Sequence, residues 1–151
     1  MSSREHTEQN YNPGLLAKVV GKVVRGNGDG KRLGFPTANI ELSSAMFLGN
    51  DFTQSDFGVY FCKVAISTSP QAVTQQSPSL PAALHYGARL VYGESAPQWE
   101  VHILDFSEDI YDQFLYTEVI QKVRNSQNFS SETELVKQMK KDIAKIRELA
   151  K

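Results

Sequence analysis

The residues best suited to chemistry lie between Gly26 and Asn39, in the run GNGDGKRLGFPTAN. Gly26, Gly28, Gly30 and Gly34 crowd together beside Lys31 and Arg32. Glycine lets backbone N–H groups turn toward an anion with no side chain in the way. Adjacent cations reinforce that attraction. The same composition would equally serve as a plain flexible β-turn. It is neither a Walker A loop nor a dinucleotide fingerprint, because Lys31 is not followed by Ser or Thr and no helical pattern opens after it. Pro36 fixes its own backbone and helps hold the residues that follow. In an extended segment Thr37 and Asn39 share a face, with Ala38 turned away. A hydroxyl and an amide oxygen are hard ligands suited to Mg²⁺ alongside phosphate oxygens. An isolated Thr-x-Asn more commonly just bonds neighbouring backbone. A second polar pair, Glu100 and His102, alternates with Trp99, Val101 and Ile103, so it faces away from the apolar side of its segment.

The elements that must position these residues are mostly strands. Residues 16–25 are Val-rich and lack a helical stripe. Residues 58–66 place Tyr60, Cys62, Val64 and Ile66 on one face. Residues 82–92 form an apolar run broken by Gly87, a candidate bulge or close-approach point. Residues 98–106 and 114–123 read as two further strands. Two long connections interrupt the pattern. Residues 42–57 show no clean period, and residues 67–81 are rich in Ser, Gln and Pro, carry no charge and read as a flexible excursion. At the C-terminus Leu135, Met139, Ile143, Ile146 and Leu149 recur at helical spacing. Ser131 followed by Glu134 fits a capping box, which predicts a helix starting there. Antiparallel strands followed by one amphipathic helix predict a small β-barrel with the helix packed outside it or across one end.

Composition narrows the function classes. The chain has 151 residues, one ordinary domain, with 40% hydrophobic and 22% charged residues. Residues 1–13 read as a polar, mobile tail and 14–151 as a single domain. Sixteen basic residues against 17 acidic ones argue against bulk binding of nucleic acid. One cysteine, Cys62, excludes an intramolecular disulfide and a Cys-rich zinc site, and its alternation makes it a core residue. No apolar run approaches the roughly 20 residues needed to span a bilayer. The first residues lack the apolar stretch of a secretory signal. The expectation is a cytoplasmic protein, in which the Asn128-Phe129-Ser130 sequon has no meaning. The lysines at 137, 140, 141 and 145 read as a solvated helix face.

Taken in order, these motifs resemble the riboflavin kinases, or flavokinases. Gly34-Phe35-Pro36-Thr37-Ala38-Asn39 resembles the family's hallmark G-F/I-P-T-A-N. Gly58-Val59-Tyr60 resembles its G-V/I-Y strand opening, and Glu100-Val101-His102-Ile103 its E-x-H-I/L strand. Asp109-Ile110-Tyr111 sits where the family has an acidic-apolar-Tyr-Gly turn. Arg124, Asn128-Phe129-Ser130, Glu134-Leu135 and Asp142 resemble its ending. The likeness runs from about Leu16 to Leu149. It departs where Ala88-Arg89-Leu90-Val91-Tyr92 lacks the proline of the family's N-P-T-F, at Asp112 in place of a glycine, and at Ser126 in place of a glutamate.

The resemblance implies a six-stranded antiparallel Greek-key β-barrel with a C-terminal helix. It implies transfer of the γ-phosphoryl group of ATP to the 5′-hydroxyl of riboflavin, giving FMN and ADP. Gly26, Gly28, Gly30, Lys31, Arg32, Gly34 and Pro36 would then belong to the nucleotide site. Thr37 and Asn39 would hold Mg²⁺ or another divalent cation and orient the phosphates, and Glu100 would be the general base. His102 would orient Glu100 or act as a structural hydrogen-bonding residue. Arg124 would contact flavin or a flap, or form a surface ion pair, and Phe129 and Leu135 would pack the start of the helix. The small-molecule partners are riboflavin and ATP, with no nucleic acid and no membrane, and a monomer is expected. The family's bifunctional bacterial members carry an adenylyltransferase domain upstream, which is absent here, so FAD synthesis is not expected. A barrel that binds flavin or nucleotide without transferring phosphate is the alternative. A generic protein- or single-strand-binding barrel ranks below both.

Overall fold

A computed structural model describes residues 15–26, 28–49, 51–88, 93 and 96–151, and seven strands organise these described residues. The tail expected over 1–13, and residues 89–92 of the strand expected over 82–92, lie outside the described residues. The strands are β1 (Ala17–Val24), β2 (Ala38–Ile40), β3 (Met46–Phe47), β4 (Gly58–Ser67), β5 (Leu80–Gly87), β6 (Gln98–Ile103) and β7 (Phe114–Asn125). They pair antiparallel in the order β2-β6-β5-β4-β7-β1. β1 then pairs back onto β2 through Val23–Ile40 and Val24–Asn39, closing a six-stranded barrel. The two-residue β3 adds a rung to the other half of β1. β4, β5 and β6 form a meander and β7 returns beside β4, which is the Greek-key step.

Alternation explains which side of each strand faces in. Tyr60, Cys62 and Val64 of β4, Ala82, Leu84 and Tyr86 of β5, Trp99, Val101 and Ile103 of β6, and Leu115 and Val119 of β7 meet in the barrel interior. Burial pushes the Cys62 thiol well above its ordinary range. The segment expected over 42–57 without regular structure closes one end of the barrel with two 3-10 turns, Leu42–Ser44 and Gln54–Asp56. Its Phe47, Phe52 and Phe57 pack on Tyr60, Tyr86 and Trp99 with ring centroids 5.1–5.8 Å apart. The Tyr60 hydroxyl donates to the Asp56 carbonyl.

Two expectations change. Residues 67–81 are not a featureless excursion, because they contain a short helix, α2 (Pro70–Thr74). Ser69 caps it by accepting from the Ala72 N–H at 3.1 Å, and Pro70 starts its first turn. Val73 is fully buried with Val20, Ala65 and Tyr116 on the outer face of the barrel. Gly87 is neither a bulge nor a point of close approach. It pairs regularly with Gln98, and a Cβ there would make only ordinary contacts. The register shifts lie instead between β4 and β7.

One further short helix, α1 (Asp29–Arg32), forms in the glycine-rich run, where the sequence showed no helical pattern. The C-terminal helix α3 (Glu132–Leu149) starts at Ser131 as expected, the serine oxygen accepting from the Glu134 N–H at 3.3 Å. It packs outside the barrel, with Ile146 fully buried against Phe61, Ala83 and Leu104. Arg124 of β7 donates from Nε to both oxygens of Asp142 on α3 at 3.0 Å, with side chains only 11% and 5% exposed. At the other end Arg147 holds Asp105 through two 2.9 Å bonds, which keeps the Asp105 carboxyl below its usual range. No helix among the described residues is long and apolar enough to cross a membrane.

This packing has two measurable consequences for stability. Burial, then the nearby Asp56 and Tyr86, pushes the Tyr60 phenol up to about 12 from 10.0. The folded state therefore holds that proton more tightly, so its stabilising contribution is present below pH 10 and is lost as pH rises toward 12. Urea denaturation across that window should show falling stability, with a shallower fall in Tyr60→Phe; an equal fall removes Tyr60 as the cause. Asp142→Ala strands the Arg124 guanidinium and should lower stability by about 3–5 kcal/mol. A loss below about 1 kcal/mol in the same assay would show that the pair does not anchor α3.

Candidate active site

Strand register builds the centre of the site. Trp99 and Val101 face inward, so Glu100 between them faces out. β2 places Asn39 directly opposite Glu100, and β5 places His85 opposite it on the other side. The row continues through Val59 of β4 to Arg124 of β7. His85 Nδ1 lies 3.7 Å from Glu100 Oε2.

His102 does not orient Glu100. Its Nδ1 lies 2.7 Å from the Pro36 carbonyl, which can only accept, so that nitrogen carries the proton. Its ring also meets Phe35 edge-on at 5.8 Å. His102 thus fixes the corner that presents Thr37. Sequence reasoning missed His85, since only the pairing of β5 with β6 brings it to Glu100.

Two of the glycines serve close packing. A Cβ at Gly26 would lie 2.3 Å from Asn39 Nδ2, and one at Gly30 would lie 2.5 Å from the Phe35 carbonyl oxygen. Gly28 and Gly34 have positive φ, 77° and 96°. Two adjoining clefts result. The polar one is lined by Gly26, Gly28, Gly30, Lys31, Pro36 and Asn39, with Tyr111 at its edge. The larger, more apolar one is lined by Val59, Ala83, Phe129, Leu135, Met139 and Ile143, with Arg124 and Asp142 beside them. Asp29, Gly30, Thr37 and Glu100 line both.

Arg32 and Gly34 line neither cleft, contrary to expectation. The Arg32 guanidinium turns to Glu132 in the first turn of α3 and to Asp29 at 3.4 Å, and these two carboxylates hold it. Arg124 lines the apolar cleft and is ion-paired within it. Among the described residues no three His, Cys, Asp or Glu side chains gather as a metal site. Thr37 and Asn39 offer two neutral oxygen donors in the polar cleft. That set fits Mg²⁺, which keeps water and phosphate oxygens as its other ligands.

Comparison with known proteins agrees with this architecture. A flavokinase family model, described as riboflavin kinase, matches residues 14–150. A bifunctional riboflavin kinase/FMN adenylyltransferase from Haemophilus influenzae is 32% identical over 126 residues, 83% of this chain and 36% of that protein. The chain therefore spans little more than a third of that relative's length. Riboflavin kinase from Trypanosoma brucei superposes with a TM-score of 0.58 at 25% identity, covering 88% of this chain and 78% of that one. A chain described as a macrolide-efflux protein from Streptococcus pneumoniae superposes with a TM-score of 0.64 at 28% identity, covering 86% of this chain and 38% of that one. With a match across nearly its whole length, this chain belongs to the flavokinase family.

Proposed function

We propose that the chain transfers the γ-phosphoryl group of ATP to the 5′-hydroxyl of riboflavin, giving FMN and ADP. The observation that carries this reading is that Thr37 and Glu100 line both clefts. The polar cleft suits a triphosphate and the apolar one a flat ring system with a few polar contacts. A group transferred between the two ligands would pass the wall they share. Retention of Glu100 beside Thr37 and Asn39 favours transfer over a barrel that only binds. The reading takes the chain as a cytoplasmic monomer acting on small molecules, without nucleic acid.

Each residue has a definite task in this reaction. Backbone around Gly26–Gly30 and the Lys31 ammonium cover the phosphates. Thr37 and Asn39 would hold Mg²⁺, which when bound neutralises charge on the phosphate oxygens. Glu100 accepts the proton of the attacking hydroxyl as the oxygen–phosphorus bond forms. Phe129, Leu135 and Met139 exclude water from one side of the ring. Such a transfer is mostly positioning and charge neutralisation.

Chromatographic detection of FMN from riboflavin, ATP and Mg²⁺ tests the reading directly. Glu100→Gln should lower kcat by about 10²–10⁴-fold with the fold intact. Thr37→Ala and Asn39→Ala should weaken Mg·ATP use as well as turnover. Near wild-type rates in all three folded variants would remove these assignments. Gly26→Ala pushes on the Asn39 amide. It should raise KM for ATP while riboflavin affinity stays within about twofold; an unchanged KM would separate the glycine from the nucleotide site.

A further inference from the structure

We propose that His85 is a positioning residue for Glu100, holding one carboxylate oxygen so that the other faces the acceptor alcohol. The inference rests on the kinase reading above. His85 Nδ1 stands 3.7 Å from Glu100 Oε2, within ion-pair reach and slightly beyond a hydrogen bond. Such contacts tighten when substrate completes a site. The side chains are 34% and 18% exposed, so each has limited room to swing. Asn39 brackets Glu100 on the opposite strand. His102 Nδ1 faces the Pro36 carbonyl, and among the described residues His85 is the histidine within 4 Å of the Glu100 carboxylate.

The proton balance is simple. The alcohol proton moves to Glu100 as its oxygen bonds phosphorus, and the bond from phosphorus to the bridging oxygen breaks, with ADP taking the electron pair. His85 keeps its own Nδ1 proton throughout. The other charged or titratable groups lining the clefts are Asp29 and Lys31 from α1, His102 from β6, Tyr111, Arg124 from β7 and Asp142 from α3. Arg124 bonds Asp142, Asp29 bonds Arg32, His102 bonds Pro36 and Arg25 sits over the Tyr111 ring. Lys31 is exposed.

The test compares wild type, His85→Leu and His85→Asn by steady-state kinetics, with kcat and KM for ATP separated. His85→Leu should lower kcat about tenfold with KM for ATP little changed. His85→Asn keeps an N–H donor and should recover most of that loss. Equal losses in Leu and Asn, or a loss carried by KM for ATP with kcat unchanged, would overturn the proposal. Absence of FMN from wild type would sink the kinase reading alone, so a second readout uses the ring nitrogens in NMR. The His85 ring should be protonated on Nδ1 in the wild-type chain and shift toward the Nε2 tautomer in Glu100→Ala; an unaltered ring overturns the clamp.

Discussion

The site depends on the register of β2 and β5 against β6. That register places Asn39 and His85 on either side of Glu100. A slip of one residue would turn Glu100 into the barrel and bring Trp99 or Val101 out. Burying Trp99 and Val101, which are 1% and 0% exposed, therefore fixes where the carboxylate points. Closure of β1 onto β2 secures the same row from its other end.

The barrel interior is filled, so the clefts are built on its outside. Aromatic rings close one end and aliphatic side chains fill the middle. α3 then divides its apolar stripe between two jobs. Ile146 packs on the barrel, whereas Leu135 and Met139 stay partly exposed and line the apolar cleft. Apolar surface left open in this way gains about 25 cal/mol per Å² when a ring covers it. The buried Arg124–Asp142 pair sets how closely the helix approaches that wall.

Local patterns made much of this legible. Alternation marked the faces of β4 and β6, and helical spacing with Ser131 marked α3. Thr37, Asn39 and Glu100 meet at adjoining clefts, although the base role proposed for Glu100 rests on family resemblance rather than spacing. Contacts set by distant pairing were not legible. Arg32 meets Glu132 a hundred residues away, and His85 meets Glu100 only through strand register. α2 was hidden because one buried valine, Val73, gives no periodic signal.

Different forces hold the wall and the rim of the site. The wall carrying Asn39, Glu100 and His85 is held by ladder hydrogen bonds and buried side chains. The rim joins α1 to α3 through Arg32 and Glu132, whose side chains are 52% and 39% exposed. An exposed ion pair of that kind contributes about 0–1 kcal/mol. It links the glycine-rich turn to the helix, while Asn39, Glu100 and His85 sit on the wall held by the strand ladder. Precision in phosphoryl transfer comes from positioning, so the stiffer element is the one that should carry the base.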